Sequence, residues 1–360
     1  MNNRKLLGII IAMLVLFLVA CGSNGSAGEE GNTDSDEEGT TEEATEENNE
    51  ENAGENTEEN AEEAGSTYPM TVSPTLSSTE SRDGTQNNFE DVDFESQPEN
   101  IVVFDYGFLD TLDALGVEGI VGVPQGSSLP THVEDYNSEE YTNIGTLKEP
   151  LLEDIAALEP DVIFISGRQA AFYDQLKEIT PNVVFVGTDQ EQYWETFTDS
   201  VDIAAEMFGK QEEAEEYMAD LNSKVEEINN HASNFESSLV TMYNEGQLSG
   251  YSTPSRFGYV YDVYGFQPVT EDIESSSHGS NFGYEAILEF DPEVLFVIDR
   301  TAAIGDDSNI ESDMENEIIQ QTTAYQNDRI VYLNGPLWYL GGGGLQSELA
   351  KVEEILSELE

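Results

Sequence analysis

Arginine is the side chain best placed to do chemistry in this chain. Beyond Arg4 there are five: Arg82, Arg168, Arg256, Arg300 and Arg329. With 12 basic residues against 75 acidic ones, a repeated arginine position carries information. Two stretches repeat one, "LEDIAALEPDVIFISGRQ" at 152–169 and "YEAILEFDPEVLFVIDRT" at 284–301. At a constant offset of 132, Glu153 matches Glu285, Ile155 matches Ile287, Pro160 matches Pro292, Phe164 matches Phe296 and Arg168 matches Arg300. Each stretch reads as an amphipathic helix, a proline stop, a buried strand and an arginine just past the strand. In open α/β sheets, ligands bind outside the carboxyl ends of the strands. Arg256 lies in "STPSRFGY", a loop opening a helix, where unpaired N–H groups and the dipole favour anions. Guanidinium stays charged and presents a rigid fork of donors. Three of them converging on a cleft between two lobes would suit a ligand carrying several negative charges. The competing reading is that each arginine pairs with one of the abundant acids.

The elements that must position these side chains alternate. A strand at Ile101–Phe104 leads through Tyr106-Gly107 into a helix, Phe108–Leu115. "GIVGVP" is a second short strand. The strand Val162–Ile165 is followed by a helix around Ala170–Ile179 and the strand Val183–Val186. Alternation of this kind implies parallel sheet in βαβ units. From Gln190 to about Ser233 the pattern is helical, with one apolar stripe from Tyr193 to Phe208, a break at Gly209, and a second stripe from Tyr217 to Ile228. The second helix, about 25 residues and ~35 Å long, could bridge two lobes; two surface helices on one sheet are the alternative. The α/β logic then resumes: "SLVTMYNEG" as a strand, "RFGYVYDVYG" as a helix capped at Gly265, "EVLFVID" and "RIVYLNG" as strands, and a final helix Leu345–Leu359. Residues near 68–96 read as a loose N-terminal hairpin.

Composition sets the compartment. Arg4 and Lys5 precede an uncharged apolar run, Leu6–Ala20, of signal-peptide length rather than membrane-spanning length. It ends in Leu18-Val19-Ala20-Cys21, which resembles a lipoprotein lipobox with Cys21 as the lipidated residue. Cys21 is the only cysteine, so no internal disulfide or cysteine zinc site is expected. From Glu29 to Ser66 there are 17 acids, no Lys or Arg and no large apolar side chain, which predicts a disordered tether. The expected organisation is a signal peptide at 1–20, a tether at 21–66, an N-terminal α/β lobe at 67–189, a helical segment with the interlobe linker at 190–235, and a C-terminal α/β lobe at 236–360. The folded part retains 58 acids against 10 bases. Nucleic acid is thereby an implausible partner. Such a charge repels itself in dilute buffer, whereas at ~1 M salt the Debye length falls to about 3 Å. An acidic, salt-adapted surface follows, on which most acids have no individual role.

Catalytic signatures are missing. There is no GxSxG, GxxxxGK, HExxH, or GxGxxG after a strand. The three histidines, His132, His231 and His278, are too scattered for an imidazole-based zinc site. Tyr339 precedes Gly341–Gly344, where backbone could approach a ligand closely, or it is a core aromatic beside Trp338. His278 is either a site residue or an exposed loop residue. Tyr106, in the first βα turn, could line the cleft. A lipid-anchored hydrolase using Ser280 or Ser277 with His278 is the rival from another class, although neighbours in sequence rarely aim at each other as nucleophile and base.

From Ile101 onward, "VVFDYGFLDTLDALG", "IGTLKEPLLEDIAALEPDVIFISGRQ", "SRFGYVYDVYG", "SSHGSNFGYEAI", "LFVIDRTAAIGD" and "WYLGGGGLQSE" occur in the order found in the class III substrate-binding proteins of ABC transporters. The chain resembles that family, and most of all its branch binding catecholate siderophores such as ferric petrobactin. The resemblance implies two Rossmann-like α/β lobes joined by one long helix, a ferric siderophore between them, no permanently bound cofactor, no enzymatic activity, and a monomer that hands its cargo to an ABC permease and ATPase. It implies an arginine triad at Arg168, Arg256 and Arg300, with His278 and Tyr339 as possible direct iron donors. It also implies that Glu153 and Glu285 dock to permease arginines, where two ordinary helix acids are the alternative. The stretch "SSHG" stands where relatives have "STHG", and "GGGG" where they often have "SGGG"; neither change touches those side chains. A ferric tris-catecholate carries about three negative charges, and phenolate and imidazole are reasonable iron donors. Haem, cobalamin or a hydroxamate siderophore are alternatives within the same fold, the last a poor fit to three arginines.

Overall fold

The computed structural model describes residues 66–80, 84–270, 273 and 279–359. Two five-stranded sheets carry it. In the first, the order is Thr142–Asn143, Ile120–Val123, Ile101–Val103, Val162–Ile165, Val183–Phe185, and all four pairings are parallel. Strands of a parallel sheet covered on both faces read as continuous apolar runs, and all four residues of Val162–Ile165 are fully buried. Val162 and Phe164 join one core layer while Ile163 and Ile165 join the other, as the alternation of side chains along a strand requires.

The second sheet runs Ser280–Phe282, Gln247–Tyr251, Ser238–Asn244, Val294–Asp299, Ile330–Leu333. Its last three strands are parallel, and the first two are antiparallel additions. The expected alternation fails here because Ser238–Asn244 turns straight back through Glu245-Gly246. Both residues have positive φ, 50° and 81°, the backbone a two-residue hairpin demands. Val162–Ile165 and Val294–Asp299 occupy the same place in their sheets, beside the first strand of each lobe. Their approach repeats as well. Glu159 (φ 48°) and Asp291 (φ 45°), again 132 apart, turn left-handed between helix and buried proline.

The described residues within 68–94 form two nested strand pairs rather than a loose hairpin. Met70–Val72 pairs with Val92–Phe94, and Ser78–Glu80 with Gln86–Asn88. Phe89 fastens it to the first lobe by stacking on Phe185 at 4.3 Å and meeting Tyr173 edge-on at 5.1 Å. Two predicted helices are shorter than expected. Residues 170–177 divide into a 3-10 turn, Ala170–Phe172, and a short helix, Tyr173–Lys177. "RFGYVYDVYG" keeps only Tyr259–Asp262 as helix.

Two elements cross between the lobes. The helix Tyr193–Phe208 ends at Gly209 (φ 66°), and the linker helix Gln211–Ala232 follows. With 22 residues the linker is about 33 Å long. It packs Leu221 into the first core and Ile228 and Ala232 into the second, with Val225 touching both. The C-terminal helix Leu345–Leu359 repeats this: Leu345 sits in the first core, and Val352, Ile355 and Leu356 in the second. Among the described residues no helix is long and apolar enough to cross a membrane.

Candidate functional site

Arg168 and Arg300 are delivered by the ends of strands and Arg256 by a loop. Arg168 lies in the turn Ser166–Gln169 beyond Val162–Ile165, closed by the Gln169 amide donating to the Ser166 carbonyl at 3.0 Å. Arg300 opens a short helix directly after Val294–Asp299, and that helix is capped by Asp299 accepting from the Ala302 amide at 3.0 Å. Arg256 stands in the loop between Gln247–Tyr251 and the Tyr259–Asp262 turn.

The three meet at Tyr339. Its carbonyl accepts from Arg168 Nη2 at 3.3 Å and from Arg256 Nη2. Its hydroxyl accepts from Arg300 Nε at 2.9 Å. The Arg256 and Arg300 guanidinium carbons lie 4.3 and 5.2 Å from the centroid of its ring, within cation–π reach. Arg300 also donates to the Asn244 side-chain oxygen. Burial would raise the Tyr339 phenol, but the Arg300 hydrogen bond and the charges of Arg256, Arg300 and Arg168 bring it below its ordinary value. Burial, then the charge of Arg168, lowers Arg256, which remains a cation nonetheless.

A cavity of about 640 Å³ opens here, lined on one side by Asp105, Lys148, Arg168 and Asp189 and on the other by Arg256, Phe257, Tyr259, Trp338 and Tyr339. Its floor is a stack, with Tyr193 on Tyr259 at 4.2 Å and Tyr259 on Trp338 at 5.9 Å. Beneath it lies a fully buried ion pair. Lys351 Nζ is 2.6 Å from Glu348 Oε1 and donates to the Gly342 carbonyl at 2.6 Å, while Tyr193 and Tyr264 donate to Glu348.

The cations sort by place. Lys177, Lys210, Lys224, Arg329 and Lys351 are each within 4 Å of a carboxylate. Among the described residues, Lys148, Arg168, Arg256 and Arg300 are not, and all four belong to the cavity or to Tyr339 beside it. The expectation that arginines merely pair with local acids fails for these three arginines. No cluster of three or more His, Cys, Asp or Glu among the described residues could hold a metal ion.

Other expected residues lie elsewhere. Tyr106 is 1% exposed and donates to the Pro124 carbonyl at 2.6 Å, so it belongs to the first lobe's core and does not line the cleft. The glycine run does not serve the ligand alone: Gly342 lines the cavity, whereas a Cβ on Gly107 would fall 2.6 Å from the Gly343 backbone. The close approach there is between the lobes. Glu153 and Glu285 are both exposed in the first turns of their helices. His278, Ser277 and Cys21 lie outside the described residues, as does the whole stretch 1–65.

Three contributors escaped sequence reasoning. Lys148 was visible only as a letter within "GTLKEP". Glu348 and Lys351, at i and i+3 in an acid-rich helix, look like an ordinary surface pair.

Two α/β lobes joined by a long helix around one cationic cleft define a substrate-binding protein. A family model described as periplasmic binding protein matches residues 101–337, and the chain belongs to that family. It is 36% identical over 265 residues to the petrobactin-binding protein YclQ of Bacillus subtilis, covering 73% of this chain and 83% of YclQ. The YclQ crystal structure superposes with a TM-score of 0.75, covering 82% of this chain and 99% of that one. The ferric-anguibactin-binding protein FatB of Vibrio anguillarum is 28% identical, covering 75% of this chain and 85% of FatB. The periplasmic catecholate-siderophore binding protein VctP of Vibrio cholerae, 28% identical, superposes with a TM-score of 0.71, covering 80% of this chain and all of VctP. By their names, these relatives bind petrobactin, ferric anguibactin and catecholate siderophores.

Proposed function

We propose that this chain is the substrate-binding component of an iron-siderophore ABC importer and that it takes an anionic ferric catecholate of the petrobactin type. One observation carries the reading: three guanidinium groups converge on Tyr339 without a carboxylate partner among the described residues, in a chain whose acids far outnumber its bases. Uncharged partners hold them, namely a carbonyl, a hydroxyl and an amide oxygen, so their charge remains available to a ligand. Arg168, Arg256 and Arg300 bind the anionic oxygens of the chelate, and Lys148 adds a fourth cation at the rim. Tyr339, with its phenol already favoured toward phenolate, and His278 are the donors for a siderophore that leaves iron positions open. Cys21 carries the lipid that anchors the chain on the extracytoplasmic face of the membrane, and Glu153 and Glu285 face the permease. The names of the petrobactin- and catecholate-binding relatives support the same ligand class.

The test is a fluorescence titration against a panel of ferric complexes at high salt, with Trp338 at the cavity wall as reporter. Ferric petrobactin and other anionic catecholates quench at low concentration, whereas a neutral ferric hydroxamate, haem and cobalamin do not. A hydroxamate complex bound as tightly as ferric petrobactin overturns the reading.

A further inference from the structure

The first lobe presents its two cleft cations on separate irregular turns. Lys148 follows the edge strand Thr142–Asn143, and Arg168 follows Val162–Ile165. One side chain joins the turns. Gln169 is fully buried; its Oε1 accepts from the Ser166 amide at 3.1 Å, and its Nε2 donates to the Leu147 carbonyl. The Lys148 turn is held from its other sides by Thr146 and Ser127. Thr146 Oγ1 accepts from the amides of Lys148 and Glu149 at 3.1 and 2.9 Å, and Ser127 Oγ accepts from the Leu147 amide at 3.1 Å.

We propose that Gln169 is a positioning residue for the ligand, fixing Lys148 relative to Arg168 through the Ser166 amide and the Leu147 carbonyl. The proposal rests on the cleft being an anion site. Gln169 itself is not part of the cavity wall, so it acts only through the loops it joins. A buried amide with both ends engaged holds backbone in one geometry, because any other leaves a carbonyl or an N–H unpartnered away from water. The neighbouring arginine and the lysine across the turn then share a fixed separation, which a rigid chelate can match without ordering them first.

The experiment is a double-mutant cycle read by ferric petrobactin titration, with thermal unfolding as the control for fold. Gln169→Met keeps length and volume but removes the side chain's hydrogen bonds to Ser166 and Leu147; Lys148→Ala removes the cation. Each alone raises Kd about tenfold, and the pair together also raises it about tenfold rather than a hundredfold, since residues acting through one another are not additive. Thr146→Val, which loosens the same turn from the surface, raises Kd about threefold, and that effect disappears in the Lys148→Ala background. It carries the test if Gln169→Met does not fold. Wild-type affinity in a folded Gln169→Met protein, or effects that multiply, overturn the positioning role and leave the cleft reading standing. If Lys148→Ala and Arg168→Ala also bind as wild type does, both fall.

Discussion

Replacing Arg256 by alanine tests the cleft most directly. The side chain is half-buried, its guanidinium packs 4.3 Å from the Tyr339 ring centroid and 5.4 Å from that of Phe257, and it donates to the Tyr339 carbonyl. Part of its desolvation has therefore already occurred before a ligand arrives, and little further ordering is needed. A guanidinium against an anionic oxygen at ~4 Å gains roughly 4 kcal/mol at an effective dielectric of about 20. Charge-assisted hydrogen bonds measured by mutation are smaller, about 1.5–3 kcal/mol. Removing Arg256 also relieves its repulsion with Arg168, which returns part of the loss. The net expectation for Arg256→Ala is about 2–3 kcal/mol, or roughly 30- to 150-fold in Kd for ferric petrobactin. Arg256→Lys keeps the charge but loses the fork and the ring packing, and loses about tenfold. The assay is Trp338 quenching at ~0.15 M and ~2 M salt. Beyond ~1 M the Debye length is under about 3 Å, so long-range attraction disappears while contact pairing survives. The ratio of mutant to wild-type Kd then changes by less than about threefold between the two salts. A folded Arg256→Ala protein that binds within twofold of wild type refutes the reasoning.

Two further perturbations separate transport and stability from binding. Glu153→Ala with Glu285→Ala leaves ferric petrobactin affinity unchanged and lowers uptake of the complex in cells at least tenfold, as expected for exposed helix acids that serve a permease; unimpaired uptake refutes the docking role. Asp110 is fully buried and accepts from the Ser347 amide at 2.7 Å and the Gln346 amide at 3.1 Å, with His132 Nε2 3.7 Å away. Burial pushes it from 3.8 up to about 7, against those hydrogen bonds and the charge of Lys351. A carboxyl raised on folding contributes its full stability below the ordinary carboxylate value and loses it as pH rises through about 7, a difference on the order of 4 kcal/mol. In urea unfolding at high salt, Asp110→Asn gains on wild type by a few kcal/mol between pH 4 and 8. Parallel profiles refute this.

What was legible in the sequence is what local chemistry dictates. The buried strands announce themselves as apolar runs, and an arginine placed just past such a run must emerge at the sheet's carboxyl edge, whatever else the chain does. Arg168 and Arg300 could be placed for that reason, and Arg256 by its loop. Tyr106 could not, because the facing of a residue in a βα turn depends on how the next helix rolls onto the sheet; here it rolls Tyr106 inward onto Pro124. The double role of the C-terminal helix was equally hidden. Nothing in "LQSELAKVEEILSEL" distinguishes Leu345, packed in the first core, from Val352, packed in the second. Glu348 and Lys351 follow the i, i+3 spacing of a surface pair, and only tertiary packing takes them out of water.

The placing of Lys351 and Glu348 bears on how the cleft works. A buried ion pair is a weak source of stability, since desolvation offsets most of the attraction, but breaking one is costly. Here the pair ties the Gly342 carbonyl, Tyr193 and Tyr264 into one network at the point where the C-terminal helix, the start of the helix Tyr193–Phe208 and the cavity floor meet. Its geometry resists sliding of the lobes, because any shift strands a buried charge. Above it, Lys148, Arg168 and Arg256 line the cavity and Arg300 holds the Tyr339 hydroxyl, none within 4 Å of a carboxylate among the described residues. Those two features need each other. Guanidinium groups held only by a carbonyl, a hydroxyl and an amide repel one another, and burial first, then the charge of Arg168, lowers Arg256. They stay together only on a frame stiff enough to bear that repulsion. In a chain so rich in carboxylates, the frame has a second task, which is to keep the protein's own acids from reaching the arginines first. The strand ends and the Tyr339 turn do this by holding each arginine against uncharged backbone and amide partners, beyond pairing distance of any described carboxylate.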